Sequence, residues 1–330
     1  LTLFYKSTSE KWRREAKAFA KAFMKNEFPK YKAAIDKQMA EQYPPADNST
    51  IAFENCNTPL APLEFGMELR CIIPWAYKKQ EECARGVVHT RSVLGSRYMY
   101  FFSNDHHIDN TTKRGFLHLE TIESNPFGGT VHKAEAPERH WKPPPFAEFF
   151  SKPEFFESVL RGKPLVVILN KYTMEWEREP ANFFDTDTLR EILTYLTPNY
   201  TVLYKRTTPK SLFDHQDTSK VKFEDLDEKD MIRYEFPDVW MFEDFADELT
   251  DPEAFNLLQF GFMSQSSKFL TVQGGTAVVG SYFGGTNIIL IKEGREITSH
   301  DYEYFPKFSN ATVVETHEET EFLREMRRYM

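Results

Sequence analysis

The carboxy-terminal half of the chain, from about Lys163 to Met330, predicts an α/β fold with a doubly wound, mostly parallel sheet. Three observations carry this. Leu165–Leu169 is an uninterrupted apolar run rich in β-branched residues, the pattern of a strand buried on both faces. Short runs of similar character recur at Thr201–Tyr204, Phe269–Val272 and Asn287–Ile291, and a further one at Thr312–Val314. Stretches with helix-start signals separate them, and repeated strand, helix, strand units place strands in parallel with helices on both faces.

The helix signals follow in order. Thr188-Leu189-Arg190-Glu191 matches a capping box, with the helix ending before Pro198. Asp251-Pro252 gives an N-cap followed by proline at the first helical position, opening a helix towards Ser264. Gly274-Gly275 forms a turn before a helix from Thr276 to Tyr282, and Gly284-Gly285 ends it. Thr316 and Glu319 are expected to cap a terminal helix reaching Met330.

The amino-terminal half is less regular. From Ser9 to about Ala40 the spacing of Trp12, Ala16, Phe19 and Phe23 predicts an amphipathic helix, and Lys11, Arg14, Lys17, Lys21 and Lys25 crowd its remaining surface. Such a helix either docks its aromatic stripe on its own domain or attaches to an anionic membrane or an acidic partner protein. Tyr43–Pro62 reads as an irregular connection, and Phe65–Lys79 as a helix kinked or ended by Pro74. Tyr98–Phe102 is expected as a short buried strand, followed by a polar loop over Ser103–Arg114. Proline and charge around Trp141 and Pro143–Pro145 place an interdomain boundary within Pro137–Pro164. At 330 residues the chain is long enough for two cores. The expected division is a basic helical extension over 1–42, a smaller α/β domain over 43–150 and a Rossmann-like domain over 163–330.

Residues 1–38 hold ten Lys and Arg against four Asp and Glu, so the formal charge of -9 conceals a strongly acidic body. An acidic body repels phosphates, which argues against nucleic acid as a partner. Cys56, Cys71 and Cys83 have no histidine cluster at metal spacing and are expected as buried free thiols. Asn-X-Ser/Thr sequons stand at Asn48, Asn110, Asn199 and Asn310, so a secretory location stays open, as does an organellar or membrane-associated one. No apolar run is long enough to span a bilayer. The chain begins with Leu1, so a targeting segment or anchor can have preceded it.

Two segments carry chemistry. In Val272-Gln273-Gly274-Gly275-Thr276, glycines at the carboxyl end of a buried strand let the backbone approach a ligand. The helix that follows points its free N–H groups there, an arrangement suited to a diphosphate. A positive φ at Gly275 is part of that expectation. In Leu169-Asn170-Lys171-Tyr172, a strand ends in an amide, an ammonium group and a phenol. Lys171 can neutralise a phosphate, and Tyr172 or Trp176 can stack on a base. The plain alternatives are tight turns that any parallel sheet needs and a polar surface loop. Asp185 and Asp187 have metal-like spacing but precede a helix, where aspartate is favoured as a cap, so no metal is assigned. Glu315, Glu318, Glu319 and Glu321 similarly suit the start of the last helix.

Asn170-Lys171-Tyr172, Glu175-Trp176, Asn182-Phe183-Phe184, Asn256-Leu257-Leu258-Gln259, Val272-Gln273-Gly274-Gly275 and Tyr282-Phe283-Gly284-Gly285-Thr286-Asn287 together resemble glycosyltransferases of the two-Rossmann-domain (GT-B-like) type. The likeness is to members with a fucosyltransferase-like or heptosyltransferase-like donor domain, and covers Pro164 to about Tyr329. It implies two Rossmann-like domains, a nucleotide sugar held by the second, a glycan or protein acceptor in the cleft opposite, and no metal or other cofactor. By that resemblance Gln273, Gly274, Gly275 and Thr276 line the diphosphate site, flanked by Asn170, Lys171 and Arg206. The acid or base expected from the first domain has no recognisable setting, and Asp105, His106 and His107 are the candidates at hand. The alternative is a catalytically silent glycosyltransferase-like subunit of a larger membrane or organellar (for example mitochondrial) assembly, attached through residues 9–40.

Overall fold

Strands buried on both faces need a cover on each, and the architecture follows from that requirement. A computed structural model describes residues 2–44, 65–83, 89–110, 113–114, 141–172, 179–206, 214–215, 228–247, 249–294, 296–299, 302–303 and 305–330. Its strands are β1 (His89–Val93), β2 (Asp105–Asp109), β3 (Lys113–Arg114), β4 (Leu165–Leu169), β5 (Thr201–Lys205), β6 (Asp214–His215), β7 (Trp240–Met241), β8 (Ser266–Val272), β9 (Gly285–Leu290) and β10 (Ala311–Thr316). Six of them form one sheet in the order β10-β9-β8-β4-β5-β7, every neighbouring pair parallel. All five runs singled out in the sequence lie in this sheet, with Ile291 just past the end of β9. β1 pairs with β2, and β3 with β6, in small parallel ladders.

Alternate residues of each strand enter different cores. Val167, Leu169, Leu203, Phe269 and Ile289 face one core, while Val166, Ile168, Val202, Tyr204, Leu270 and Leu290 face the other. The second core is closed by the helices Thr186–Leu196, Glu228–Glu235 and Glu319–Tyr329, which contribute Leu189, Ile232 and Phe322. The first is thicker. Its central helix, Pro252–Met263, is buried throughout, so it needs an outer layer as well as the sheet.

That outer layer is amino-terminal. Glu27 separates Thr2–Asn26 from a second helix, Phe28–Gln42, which has Pro29 in its first turn. Phe19 stacks on Trp240 at 4.9 Å between centroids, and Phe23 meets Phe156, Phe245 and Phe262. Tyr31 lies so close to the central helix that a Cβ on Gly261 would be 2.9 Å from its ring. The aromatic stripe therefore docks on its own chain from Phe19 onward, whereas Trp12 is 45% exposed and residues 10–15 all face solvent.

Several local expectations change. Arg97–Tyr100 is a 3-10 helix rather than part of a strand; Tyr98–Phe102 is buried on all sides, and a run without periodicity suits a tight turn in the core as well as a strand. The polar Asp105–Asp109 is a strand, held by charged cross-strand pairs such as Arg91 with Asp109 at 2.8 Å. Asp185 caps its helix, as expected of an aspartate there, its Oδ1 accepting from the Thr188 N–H at 2.7 Å, while Thr188, expected to open a capping box, lies inside the first turn. Asp251 caps the central helix as expected. Thr316 donates instead to the Ile289 carbonyl. Pro74 sits in the first turn of a helix, Ile73–Glu82, that follows a π-helical turn over Glu68–Ile72. Cys71 is a buried free thiol, but Cys83 is disulfide-bonded, which spacing alone did not disclose; Cys56 and Trp176 lie outside the described residues.

Because Phe23 joins the amino-terminal layer to three rings of the body, Phe23→Ala is expected to lower the unfolding free energy by about 3–5 kcal/mol, the usual cost of such a cavity. Urea unfolding of the two proteins checks this.

Candidate functional site

In sequence order the six-stranded sheet runs from β4 out to β5 and β7 on one side, then back to β8, β9 and β10 on the other. The direction reverses between β4 and β8. At such a point the connections leave in opposite directions from adjacent carboxyl ends, opening the crevice where α/β sheets hold ligands. The residues that follow these two strands are Asn170-Lys171-Tyr172 and Gln273-Gly274-Gly275, so the topology brings both sequence segments together.

Gly274 is the residue with positive φ, at 112°, and it precedes the helix Gly275–Tyr282. The expectation placed that conformation at Gly275, one residue late. As the first residues of the helix, Gly275 and Thr276 present N–H groups that no intrahelical carbonyl reaches. The Gly274 N–H donates to the Tyr302 hydroxyl at 2.8 Å, and the Thr276 hydroxyl to the Val272 carbonyl at 3.1 Å. Lys171 crosses from β4 to donate to Gln273 Oε1 at 2.7 Å, and a Cβ on Gly274 would stand 3.1 Å from its Nζ. An ammonium group thus lies against the amino end of a helix, where both favour an anion.

The flanking residues divide into holders and charges. Asn170 is fully engaged: its Nδ2 donates to the Phe184 carbonyl and the Tyr204 hydroxyl, and its Oδ1 accepts from the Lys171 and Phe184 N–H groups. It shapes the strand end rather than reaching a ligand. Arg206 is buried and donates to Glu228 at 2.9 Å, whose carboxyl is pushed up by burial and drawn down by that guanidinium. Tyr172 packs edge-on against Phe183 at 4.8 Å. Two residues outside the expected set matter. Asn182 accepts from the Lys292 and Glu293 N–H groups and donates to the Glu293 carbonyl, clipping the β4 exit to the β9 exit. Lys205, at the end of β5, is buried near the rings of Phe242 and Phe255, and burial pulls its ammonium down to about 8. Its sequence signal was a lysine ending an apolar strand, the same as for Lys171.

The rest of the glycine motif is packing. A Cβ on Gly280 would be 3.3 Å from Asn287 Nδ2, and one on Gly285, at φ 69°, would be 2.1 Å from the Ser267 carbonyl oxygen. Asn287 accepts from Thr271 and donates to the Ala277 carbonyl and Ser281, fastening the helix to two strands.

The amino-terminal candidates for an acid or base are held in contacts of their own. His106 stacks on Tyr100 at 4.7 Å. Its Nε2 donates to Ser92 Oγ at 2.9 Å, since that hydroxyl donates onward to the Val93 carbonyl, and its Nδ1 accepts from Thr90 at 2.7 Å. Burial, helped by the Arg97 charge, pulls the ring down to about 3, so it is neutral and its lone pair is occupied. Asp105 pairs with His89 at 2.5 Å and His107 with Asp109 at 3.3 Å. Beyond β1, Glu253 accepts from the Gly95 and Arg97 N–H groups, docking that turn on the amino end of the central helix, and burial raises its carboxyl to about 7. That helix leads into β8, so the turn stands at the carboxyl edge of the large sheet. His89 and Asp105 begin their strands, about 13 Å back along them.

Among the described residues no group of three or more His, Cys, Asp or Glu is placed to hold a metal ion. No helix there is long and apolar enough to cross a membrane. Comparisons with protein-family models, curated proteins and solved structures find no match for the chain.

The His106 ring generates a pH test. An unfolded histidine takes up its proton near 6.5 and the folded one only near 3, so across that window the unfolded state binds more protons. The contribution to stability is complete above about pH 6.5 and lost as the pH falls towards 3. Thermal melts should therefore show a stability gap between the wild type and His106→Phe that narrows from pH 7 to pH 4.

Proposed function

We propose that the chain is a glycosyltransferase-like protein that takes a nucleotide sugar at the carboxyl edge of the six-stranded sheet and transfers the sugar to a glycan or protein acceptor. The observation that carries this reading is the helix amino terminus at Gly274-Gly275-Thr276 beside the Lys171 ammonium, at the reversal of strand order. A diphosphate matches it: two anionic groups meet free N–H donors and a cation in one crevice. On this reading the amino-terminal half supplies the acceptor side of a two-Rossmann-domain (GT-B-like) arrangement, and the turn at Gly95–Arg97 docks it beside the donor edge. Charge held in place at the crevice would stabilise the departing diphosphate.

One set of contacts favours a second reading, a catalytically silent subunit of a larger assembly. His106 has both nitrogens occupied, and Asp105 and His107 are turned to partners of their own. The exposed basic turns around Trp12 would then provide attachment to a protein partner or membrane surface.

A panel of nucleotide sugars should raise the melting temperature of the wild type; at one hundred times Kd a ligand adds about 2.7 kcal/mol. Gly275→Val should remain folded and lose the shift, because its side chain would occupy the space at the free N–H groups. Absence of a shift with every nucleotide sugar would sink the donor site. A shift without sugar transfer or donor hydrolysis would select the silent subunit.

A further inference from the structure

We infer that Asn199 and Asn310 carry N-linked glycans on the amino edge of the large sheet, the edge opposite the donor crevice. Asn199 lies two residues before β5 and Asn310 immediately before β10. Both strands run parallel in the same sheet, so both asparagines stand at its amino edge. Both side chains are exposed, and each begins an Asn-X-Thr sequon. The sequons alone would say little, since short patterns arise by chance. Two independent features point the same way.

The first is redox. Cys83 is disulfide-bonded, and such bonds persist in the oxidising lumen where N-glycosylation takes place. The second is the surface beside Asn199. With Tyr195 and Arg327 it lines an open hollow of about 730 Å³, and among the described residues Tyr195 is one of three large hydrophobic side chains that are at least 38% exposed. An exposed tyrosine ring one helical turn away gives the proximal sugar an apolar face to cover.

In the modification, the side-chain amide nitrogen of asparagine bonds to the anomeric carbon of a lipid-diphosphate-linked oligosaccharide. The bond from that carbon to the diphosphate oxygen breaks, the lipid diphosphate leaves, and the amide gives up one proton. The two sites differ in timing. Thr201 is buried in β5 with its hydroxyl donating to the Leu160 carbonyl at 2.6 Å, so Asn199 is modified only before the strand is laid into the sheet. Thr312 is exposed on the edge strand β10, so Asn310 stays accessible after folding.

The test is glycopeptide mass spectrometry on the full chain directed into the secretory lumen of a eukaryotic cell. A glycan is expected on Asn199 and on Asn310. Asn199→Gln should remove the first alone, and Thr312→Val, which keeps Asn310 and its left-handed backbone, the second alone. Neither change should alter the melting temperature gained with a nucleotide sugar if the donor site operates, because both lie at the far edge. In parallel, thiol titration of the denatured, unreduced protein should find fewer than the three cysteines present. Bare asparagine at both positions, or three free thiols in the secreted chain, would overturn the inference. Failure of nucleotide-sugar binding alone would not touch it.

Discussion

The reversal of strand order between β4 and β8 is the constraint on which the rest of this molecule depends. Parallel strands joined by right-handed crossovers must place successive helices on one face while the chain winds one way and on the other face when it winds back. Winding out through β5 and β7 places Thr186–Leu196 and Glu228–Glu235 on one side; winding back through β9 and β10 places Gly275–Tyr282 and Phe305–Phe308 on the other, and the last helix, Glu319–Tyr329, which follows β10, returns to the first side. The helices on each side of the seam diverge, and the carboxyl ends of β4 and β8 are left without a crossover above them. Every polar residue of the candidate donor site lies on a segment leaving the sheet at or beside that opening.

A second requirement follows from the Pro252–Met263 helix. It makes the connection across the seam and is buried on all sides, so the sheet satisfies only one of its faces. Tyr31, Phe23, Phe156 and Phe146 cover the other, and the close fit of Tyr31 against Gly261 sets how near the amino-terminal helix approaches. The same helix presents Glu253 and Asn256 to the turn after β1. One buried element therefore fixes both the amino-terminal layer and the turn that stands at the carboxyl edge of the large sheet.

The sheet was legible because its strands are apolar on both faces, a pattern that few other structures produce, and because the caps at Asp185 and Asp251 have local causes. The crevice was legible for a related reason: polar residues directly after an apolar strand fall at a carboxyl edge whichever way the chain then turns. What the sequence left open was set by distant contacts. Tyr98–Phe102 has no periodicity, so only its burial decides between strand and turn. Asp105–Asp109 is polar because charged cross-strand pairs hold it. Asn170 and Asn287 look like ligand-binding amides in a motif, yet each spends its donors and acceptor on the fold. A short string cannot show whether an amide is occupied.

Charge placement explains how an acidic chain can offer a place to an anion. The net charge of -9 describes the far field, which salt weakens over about 10 Å at roughly 0.1 M. Within the crevice the near field governs. Lys171 follows β4, Lys205 ends β5 and Arg206 follows it, so three cations stand at the carboxyl ends of two adjacent strands, and Glu228 pairs with Arg206 there. Burial makes the Lys205 cation costly by itself, as its lowered value shows. An anion entering the crevice would relieve part of that cost while its own hydration is replaced by N–H groups already fixed in the helix. Such an arrangement attracts little at a distance and much on contact, which suits a site entered by small charged ligands rather than by long polyanions.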